Sequence, residues 1–494
     1  MSSPPVCSES SISDEFLHFV NGCHSEFHAV QQTIKLLTKA GFEEISERND
    51  VDWTTKIKPM GKYFFTRNQS CIIAFAVGGN YKNGNGFAIT GAHTDSPVLK
   101  VKPVSKDQGS GFMQVGVECY GGGLWNTWFD RNLTVAGRVI VQTEEEDGKP
   151  PKYECKLVHI PRPILCIPNL AIHLNRGIYT EGFKYNKQTH LLPILATEML
   201  NKEMKMGDEA KASDEHHFLL LVLLAKELKV PMSSIKDFDL SLCDTQPACL
   251  HGAWNEFISA RGLDNLMMSF ICTKALIAAT FWKHRVHEFK GKGVTERLSC
   301  RDEKSLKEAK QIQMVALFDN EEVGSTSQQG ANSNLMVRLL QRIHGDDMKV
   351  YDAAIRKSFL VSADMAHALH PNYTSKHEHN HRPIIHKGLV IKKNGNQRYA
   401  TNAITTFILE EIAKKHKIPL QKFVVRNDMG CGSTIGPLLS AKLGIRTLDV
   451  GVPQFAMHSI REMCGTRDVL SSFELLKNFY LEFEGLDSSL TVDK

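Results

Sequence analysis

Two adjacent acids follow a short apolar run near the middle of the chain. Residues 312–318 read IQMVALF, which is the length of one buried strand, and Glu321 and Glu322 come just after it. Adjacent side chains at a strand end point in different directions, so the two carboxylates cannot do the same job. One could hold a metal ion while the other faces a bound water as a general base. In isolation a solvated acidic turn is the commoner interpretation, so the prediction depends on the rest of the chain.

Two further strand ends carry residue types that bind metals. The apolar run 87–92 leads into His93 and Asp95, and the run 359–362 leads towards Asp364. His93 and Asp95 are two residues apart and therefore lie on one side of an extended segment. A metal-bound histidine usually donates its second ring N–H to a carboxylate, although Asp95 could also fix the local turn. Either pattern alone is weak, and metal chemistry requires further ligands.

Two more candidates complete a set of nitrogen and oxygen ligands. Asp264 opens a helical stretch that we expect to reach about residue 281, and His458 follows a strand at 447–450. As an isolated residue, Asp264 would be interpreted as a helix N-cap. Two histidines and three carboxylates suit two zinc-like ions about 3.5–4 Å apart with one bridging carboxylate. Glu321 is then left as the natural base for the shared water. The five expected ligands are His93, Asp264, Glu322, Asp364 and His458.

The elements that would position these residues indicate an α/β fold. In an open α/β sheet, ligands collect beyond the carboxyl ends of the strands, where these candidates lie. Apolar residues recur at helical intervals from 13 to 40, with Gly41 as the expected C-cap. Residues 104–245 combine short β-like runs with loops rich in Gly and Pro, which predicts an inserted second domain. The predicted division is a disordered tail at 1–12, catalytic parts at 13–103 and 246–494, and the insert at 104–245.

The bulk composition excludes several functional classes. A chain of 494 residues is too long for one ordinary core, and a formal charge of +4 is too small to argue for nucleic acid or an anionic membrane. With no run of about 18 apolar residues and no pattern of a secretion signal, we expect neither a membrane span nor export. The 12 cysteines include no CxxC pair, so we expect a reduced, cytosolic protein.

Other segments give weaker signals. A histidine-rich tract spans 367–386, and most of its rings are expected to be solvated. Backbone N–H groups of the glycine-rich loop at 427–437 could meet an anion or an oxyanion. The charged segment 283–310 is expected at the surface. His173 lies in a mostly apolar run and would, by itself, be interpreted as a core histidine.

Five segments, GAHTDSP, LDNL, LFDNEEVGS, SADMAHALHPNY and AMHSIRE, resemble the signatures of the aspartyl aminopeptidase family of cocatalytic zinc metallopeptidases. The similarity runs from about Phe16 to near the C-terminus and is close to a eukaryotic cytosolic member. It implies a zinc-peptidase-type mixed sheet flanked by helices, an inserted β-rich dimerisation domain and a tetrahedral homododecamer. One departure from the family pattern is SARGLDN, because the family has arginine directly before LDN. The departure bears on the geometry of the backbone next to Asp264.

The resemblance also assigns the metal ligands. It gives one zinc ion to His93 and Asp364 and the other to Glu322 and His458, and Asp264 bridges the two. It implies two Zn²⁺ ions per subunit, with Mn²⁺ or Co²⁺ as alternative occupants of the second site.

The same resemblance assigns catalytic and substrate-binding residues. Glu321 becomes the general base, and Asp95 is the second catalytic residue. Lys392 would meet the side-chain carboxylate of an acidic substrate, because a buried carboxylate needs a cation or several donors. By its pattern alone, a lysine there would usually be solvated. His173 would be lent to the site by a neighbouring subunit. The implied substrate-binding residues are His173, Glu321, Asp364, His367, Lys392 and Tyr399.

These inferences lead to an expected function and two alternatives. We expect an aminopeptidase that removes N-terminal Asp or Glu from peptides and has neither nucleic-acid nor membrane partners. The first alternative is a different substrate class on the same metal core, such as a broad-specificity metalloaminopeptidase or a deacylase. The second is a non-catalytic, particle-forming scaffold with a relic metal site. The intact Glu321 argues against the scaffold, which does not need a base.

Overall fold

The computed structural model describes residues 9–50, 53, 55–144, 150–203, 214–280, 306–345 and 347–492. These residues form a mixed α/β fold with three sheets and flanking helices, which confirms the predicted fold class. The helices are α1 (Glu9–Gly22), α2 (Glu26–Lys39), α3 (Ile178–Glu181), α4 (Glu198–Glu203), α5 (Phe218–Leu228), α6 (Leu263–Thr280), α7 (Leu335–His344), α8 (Met348–Arg356), α9 (Ala403–His416), α10 (Ile435–Leu443) and α11 (Thr466–Ser488).

The strands are between 2 and 12 residues long. In chain order they are β1 (Glu43–Glu44), β2 (Lys62–Arg67), β3 (Cys71–Val77), β4 (Phe87–His93), β5 (Val98–Gly109), β6 (Phe112–Tyr120), β7 (Leu133–Glu144), β8 (Lys152–His159), β9 (Ile194–Thr197), β10 (Ile235–Asp244), β11 (Cys249–His251), β12 (Phe257–Ala260), β13 (Ile312–Phe318), β14 (Phe359–Ala363), β15 (Ala366–His367), β16 (Leu389–Lys393), β17 (Leu420–Val424), β18 (Arg446–Gly451), β19 (Pro453–Phe455) and β20 (Glu462–Gly465).

The largest sheet has nine strands in the order β1-β2-β3-β13-β4-β14-β18-β16-β17. Its central strands β13, β4, β14 and β18 are mutually parallel, so their carboxyl ends meet at one edge. Every residue of β13 is buried, which confirms the predicted strand at 312–318. Continuous apolar runs of this kind are typical of strands that helices cover on both faces.

Alternating side chains of this sheet feed two separate cores. Along β3, Ala74 and Ala76 pack into the cluster that includes α1, α2, α6 and α11, whereas Ile73 and Phe75 pack into the cluster with α7, α8 and α10. This alternation follows from the two-residue period of a strand. The sheet is therefore clamped between two helical layers, which fixes the positions of its strand ends.

Two smaller sheets complete the described part of the fold. A six-stranded sheet has the order β8-β7-β10-β5-β6-β9, and a five-stranded sheet has the order β11-β12-β20-β19-β15. The six-stranded sheet takes its strands from residues 98–244, and β5 runs through the expected boundary between 103 and 104. The division of the chain into domains stays a prediction.

Helix α6 has the length and the apolar composition of a membrane span. In this fold, however, 89% of that segment is buried inside the protein, between the nine-stranded sheet and α11. An apolar helix that is covered on all sides is typical of a core helix.

The N-terminal segment differs from its prediction in two ways. Helix α1 begins at Glu9, and Ile12 is buried, so the expected disordered tail at 1–12 is wrong for its last four residues. The single helical stretch expected from 13 to 40 is two helices. Ser25 caps the second helix, because its side chain accepts a hydrogen bond from the backbone N–H of His28. We expect the charged segment 283–310 at the surface. Its residues 283–305 lie outside the described residues.

Candidate metal centre

Three predicted ligands follow neighbouring parallel strands. His93 is the last residue of β4, and it pairs in register with Phe318, the last residue of β13. Glu322 follows β13 after a tight turn, and Asp364 directly follows β14. The parallel register therefore brings together side chains that are more than 200 residues apart in sequence.

Asp264 lies between the two predicted histidine ligands. Its Oδ1 is 3.4 Å from His93 Nε2, and its Oδ2 is 3.3 Å from His458 Nε2. The backbone at Asp264 is extended, with φ −83° and ψ 103°, so it is not part of the regular helix. The N-cap interpretation of Asp264 is wrong, because its carboxylate turns towards the histidines. One oxygen towards each histidine is the arrangement expected of a bridging carboxylate.

The remaining candidates lie around this carboxylate. His458 Nε2 is 3.3 Å from Glu322 Oε2, and Glu321 Oε2 is 3.8 Å from His93 Nε2. Two groups of ligand atoms each fit within 4.8 Å: one is His93, Asp264 and Glu322, and the other is His93, Glu321 and Asp364. The structure thus brings all five predicted ligands and the predicted base into one cluster.

The cluster contains buried polar atoms that are suited to metal ligation. Within the described part of the chain, His93 Nε2, Asp264 Oδ1 and Glu322 Oε1 are buried and have no hydrogen-bond partner. Buried polar atoms of this kind are costly unless another group satisfies them. Imidazole nitrogen and carboxylate oxygen are ligands that zinc accepts, so the residues present fit divalent metal ions.

Electrostatics favour the same conclusion. Burial raises the pKa of Glu322 to about 7 and that of Asp364 to about 6, and it raises the pKa of Glu321 well above its usual range. Burial opposes protonation of His458, but the hydrogen bonds that its ring donates to Asp264 and Glu322 outweigh burial and raise its pKa to about 11. These clustered carboxylates therefore tend to bind protons near neutral pH. Bound metal cations would neutralise the same negative charge.

Asp95 supports both His93 and the acidic turn. His93 Nδ1 is 3.0 Å from the backbone oxygen of Asp95 and 3.3 Å from its Oδ1. The backbone N–H groups of Glu321 and Glu322 donate to Oδ1 and Oδ2 of Asp95, each at 3.1 Å. Burial opposes ionisation of Asp95, but the hydrogen bond and charge of His93 outweigh it and lower the pKa of Asp95. This carboxylate therefore orients one expected ligand and the expected base together.

Two supporting residues had no signal that identified them in the sequence. Tyr120, at the end of β6 in the six-stranded sheet, donates its hydroxyl to Asp95 Oδ2 at 2.7 Å. The side-chain amide of Asn320 donates to the same hydroxyl oxygen at 3.0 Å. Asn320 has φ +62°, a left-handed conformation that asparagine tolerates, and it turns the chain from β13 into the acidic pair.

Glu462 holds the backbone of two expected ligands. Its Oε2 accepts the N–H of Asp264 at 2.9 Å, and its Oε1 accepts the N–H of His458 at 2.7 Å. Glu462 begins β20 and pairs with Ala260 at the end of β12, so the five-stranded sheet aligns all three residues. Glu462 is the last residue of the AMHSIRE segment, which could have drawn attention to it.

A cavity of about 300 Å³ contains two of the predicted substrate-binding residues. His367 and Tyr399 line it, together with residues 429–432 of the glycine-rich loop. Its basic side chains include Lys376 and Arg426, which the sequence analysis did not single out. The cavity is therefore large enough for a side chain, and its wall carries charges of both signs, because Glu378 also lines it and Arg426 is paired with Asp428.

Lys392 lies next to Tyr399, which lines this cavity, but is not itself among the lining residues. It is 3% exposed, donates to the backbone oxygen of Met365 at 3.0 Å and is 5.2 Å from the centre of the Tyr399 ring. The solvated interpretation of this lysine is wrong, because the fold buries it next to a predicted ligand.

His173 lies away from the core. It is exposed in a short turn between Ile172 and Leu174, so its interpretation as a core histidine is wrong. It is not among the residues that line the 300 Å³ cavity. Its expected role at the site of a neighbouring subunit stays a prediction.

Comparisons with known proteins identify close relatives. A family described as aminopeptidase I zinc metalloprotease (M18) matches residues 19–288 and 293–480. The probable aspartyl aminopeptidase of Ricinus communis is 50% identical and covers 98% of both chains. The aspartyl aminopeptidase of Dictyostelium discoideum is 47% identical and covers 96% of this chain and 97% of its own.

Solved structures agree in fold. The chain aligns with one from the cryo-EM structure of the Ape4 and Nbr1 complex with a TM-score of 0.89 and 42% identity, covering 99% of this chain and 88% of that one. It aligns with the mApe1 dodecamer of Saccharomyces cerevisiae with a TM-score of 0.80 and 28% identity, covering 98% and 99%.

Proposed function

The chain belongs to the aminopeptidase I family of zinc metalloproteases (M18) and is a metalloaminopeptidase, and we propose that it removes N-terminal Asp and Glu residues from peptides. The observation that carries the catalytic part is the position of Asp264. Its two carboxylate oxygens lie 3.4 and 3.3 Å from two different histidines, as a bridging ligand requires.

We assign the two zinc sites on this basis. His93 and Asp364 would hold one ion, Glu322 and His458 would hold the other, and Asp264 would contribute to both. When bound, the ions polarise the scissile carbonyl and lower the pKa of an attacking water. Mn²⁺ or Co²⁺ would be alternative occupants of the second site.

Glu321 moves the proton in the proposed reaction. Its carboxylate is beside His93 and Asp364 but is not needed as a ligand. It takes a proton from the attacking water and passes it to the leaving amine. Burial raises the pKa of Glu321, which favours a carboxylate that can hold a proton between the two transfers. Asp95 keeps the base in position through the backbone of the acidic turn.

The acidic preference rests on charge around the cavity and on the relatives. The relatives from Ricinus and Dictyostelium are described as aspartyl aminopeptidases. Lys392 is buried beside Tyr399, which lines the cavity, and Lys376 is on the cavity wall. A substrate carboxylate that leaves water needs such cations to offset its lost hydration. His367 and Tyr399 would contact the same substrate residue, and the amino terminus would meet Asp364 and Glu321.

The test compares peptides that begin with Asp, Glu, Leu or Lys, before and after metal removal and zinc return. We expect Asp and Glu peptides to dominate and zinc to restore their cleavage. Equal cleavage of Leu peptides would leave the metal chemistry but overturn the acidic preference. Bound zinc without any cleavage would support the scaffold instead.

We also propose that the enzyme is a cytoplasmic, tetrahedral homododecamer in which residues 104–245 form the dimerisation domain. The relative from Saccharomyces is a dodecamer. Around His173, an exposed apolar surface that a neighbouring subunit could cover includes Leu170, Leu174 and Tyr179. Sedimentation analysis should give a particle of twelve chains, and His173→Ala should lower activity without changing that mass. A monomer would contradict the assembly.

A further inference from the structure

A second cluster of metal-binding side chains lies outside the catalytic centre. His24, His159 and Cys243 bring one ligand atom each within 4.8 Å of one another. His24 lies in the turn between α1 and α2, His159 ends β8, and Cys243 is next to the end of β10. None of the roles assigned above involves these three residues.

The strand register explains why His159 and Cys243 meet. Ala136 on β7 pairs with His159 on one side and with Ser241 on the other. Cys243 is two residues beyond Ser241, so it lies on the same face of the sheet. Ala136 has only a methyl group, and the turn that carries His24 packs over this face. The fold therefore gathers three ligands, two imidazoles and one thiol, from three separate segments.

The two imidazoles are available as ligands. Their rings stack with centroids 3.5 Å apart and planes 10° apart. Among the described residues, neither ring has a hydrogen-bond partner. Burial lowers the pKa of His24 to about 2 and that of His159 to about 4, so both rings are neutral at physiological pH. Neutral imidazole is the form that binds a metal.

The thiol and a nearby guanidinium complete the environment. Cys243 is buried and is not in a disulfide. Burial raises the pKa of this thiol to about 11, and the charge of nearby Arg261 counters that rise. Arg261 Nη2 is buried and lacks a hydrogen-bond partner within the described ranges. The positive charge of the guanidinium repels a metal cation but stabilises a thiolate. A metal ion would therefore bind here only together with deprotonated Cys243.

We propose that His24, His159 and Cys243 form a third metal site, for a borderline-soft divalent cation such as Zn²⁺. Two imidazoles and one thiolate are a ligand set that this class of ion accepts, with water in the fourth position. Zinc–ligand distances place such atoms about 3.3–3.6 Å apart. The side chains must therefore close by about 1 Å, and the His24 ring must turn out of its stack. The ion would join the N-terminal helices to the six-stranded sheet.

Cobalt substitution tests the site directly. The ligands of the catalytic centre are nitrogen and oxygen atoms, so a thiolate-to-cobalt charge-transfer absorption can come only from a cysteine site. We expect the full chain, stripped of metal and loaded with Co²⁺, to show this absorption and to bind three ions per chain. Wild-type protein with two ions and no thiolate absorption would overturn the proposal, whatever the variants do.

Two cysteine variants assign the signal. Cys243→Ala should lose the thiolate absorption and one ion while keeping two ions and peptide hydrolysis. Cys71→Ala is the matched control, because Cys71 is equally buried but lies on β3 outside the cluster. It should keep the absorption. Absorption that survives in Cys243→Ala, or that disappears in both variants, would contradict the site. His24→Asn, altered in a turn rather than in a strand, should reproduce the loss if Cys243→Ala does not fold.

Discussion

Lys392 Nζ lies 3.8 Å from Asp364 Oδ1, in a part of the fold where only 3% of the lysine is exposed. Burial raises the pKa of Asp364 to about 6, and the charge of Lys392 counters that rise. The lysine therefore already interacts with an expected zinc ligand before any substrate arrives. It can attract an acidic substrate residue, hold Asp364 ionised, or do both.

Replacing Lys392 separates these roles. Lys392→Met keeps the length and removes the charge. If the lysine pairs with the substrate carboxylate, kcat/KM for Asp peptides should fall by about 10- to 150-fold, which corresponds to about 1.5–3 kcal/mol for a charged hydrogen bond. Leu peptides should change little. Steady-state kinetics on both peptides, with bound zinc measured in parallel, decides between the roles.

The neighbouring lysine provides the control for that experiment. Lys393 is the exposed last residue of β16, and Lys393→Met should leave both substrates unaffected. Equal losses for Asp and Leu peptides in Lys392→Met, together with lost zinc, would show that the lysine serves Asp364 alone.

Glu321 and Glu322 form an adjacent pair with different expected roles. Glu321→Gln removes the base, so kcat should fall by about 10²–10⁴-fold with both zinc ions retained. Glu322→Gln removes a ligand, so zinc content itself should fall. Metal analysis of both variants beside their kcat values provides the check. Loss of zinc in Glu321→Gln would make Glu321 a ligand instead.

Tyr120 should influence the reaction from a different sheet. Tyr120→Phe removes the hydroxyl that donates to Asp95 and leaves the ring in place. Partners of this kind typically contribute about 10- to 100-fold to metal affinity or activity. We expect a loss in that range in kcat or in zinc affinity, with KM nearly unchanged. Tyr63→Phe is the control, because its hydroxyl binds the Lys56 backbone outside the site, and it should have full activity.

His28 should make a contribution to stability that is lost in mild acid. Burial lowers its pKa to about 4 from an ordinary 6.5, so between those values the unfolded chain binds the proton more readily. The contribution of His28 to the free energy of unfolding therefore decreases as pH falls from 6.5 to 4, with a slope of at most about 1.4 kcal/mol per pH unit for one proton. Urea unfolding at several pH values should show a shallower slope in His28→Gln. The exposed His379→Gln should keep the wild-type slope, and an unchanged slope in His28→Gln would refute this assignment.

The parts of the fold that sequence predicted best are those set by local patterns. The run at 312–318 is continuous and apolar, and it forms the buried strand β13 within the predicted limits. His93, Glu322 and Asp364 could be grouped because parallel strands place their carboxyl ends at one edge. The break near Ser25 was missed because the apolar spacing continues across it.

The supporting residues could not be predicted because they depend on contacts between sheets. Tyr120 reaches Asp95 only after the six-stranded sheet docks against the nine-stranded one. Glu462 meets the backbones of Asp264 and His458 through the register of β12 with β20. Neither contact leaves a periodic signal in the chain. The burial of Lys392 is missed for the same reason, since alternating basic and polar neighbours suggest a solvated side chain.

The apolar helix α6 has a consequence for biosynthesis. It leaves the ribosome well before β13, and about 200 residues before α11, the helix that packs against it. During that interval α11 is not yet available to cover its side of this apolar helix, although α1 and α2, which also pack against it, are already made. We therefore expect the growing polypeptide to engage chaperones that shield apolar segments. Truncation before Thr466 should yield aggregates, because the last cover of the helix is then missing.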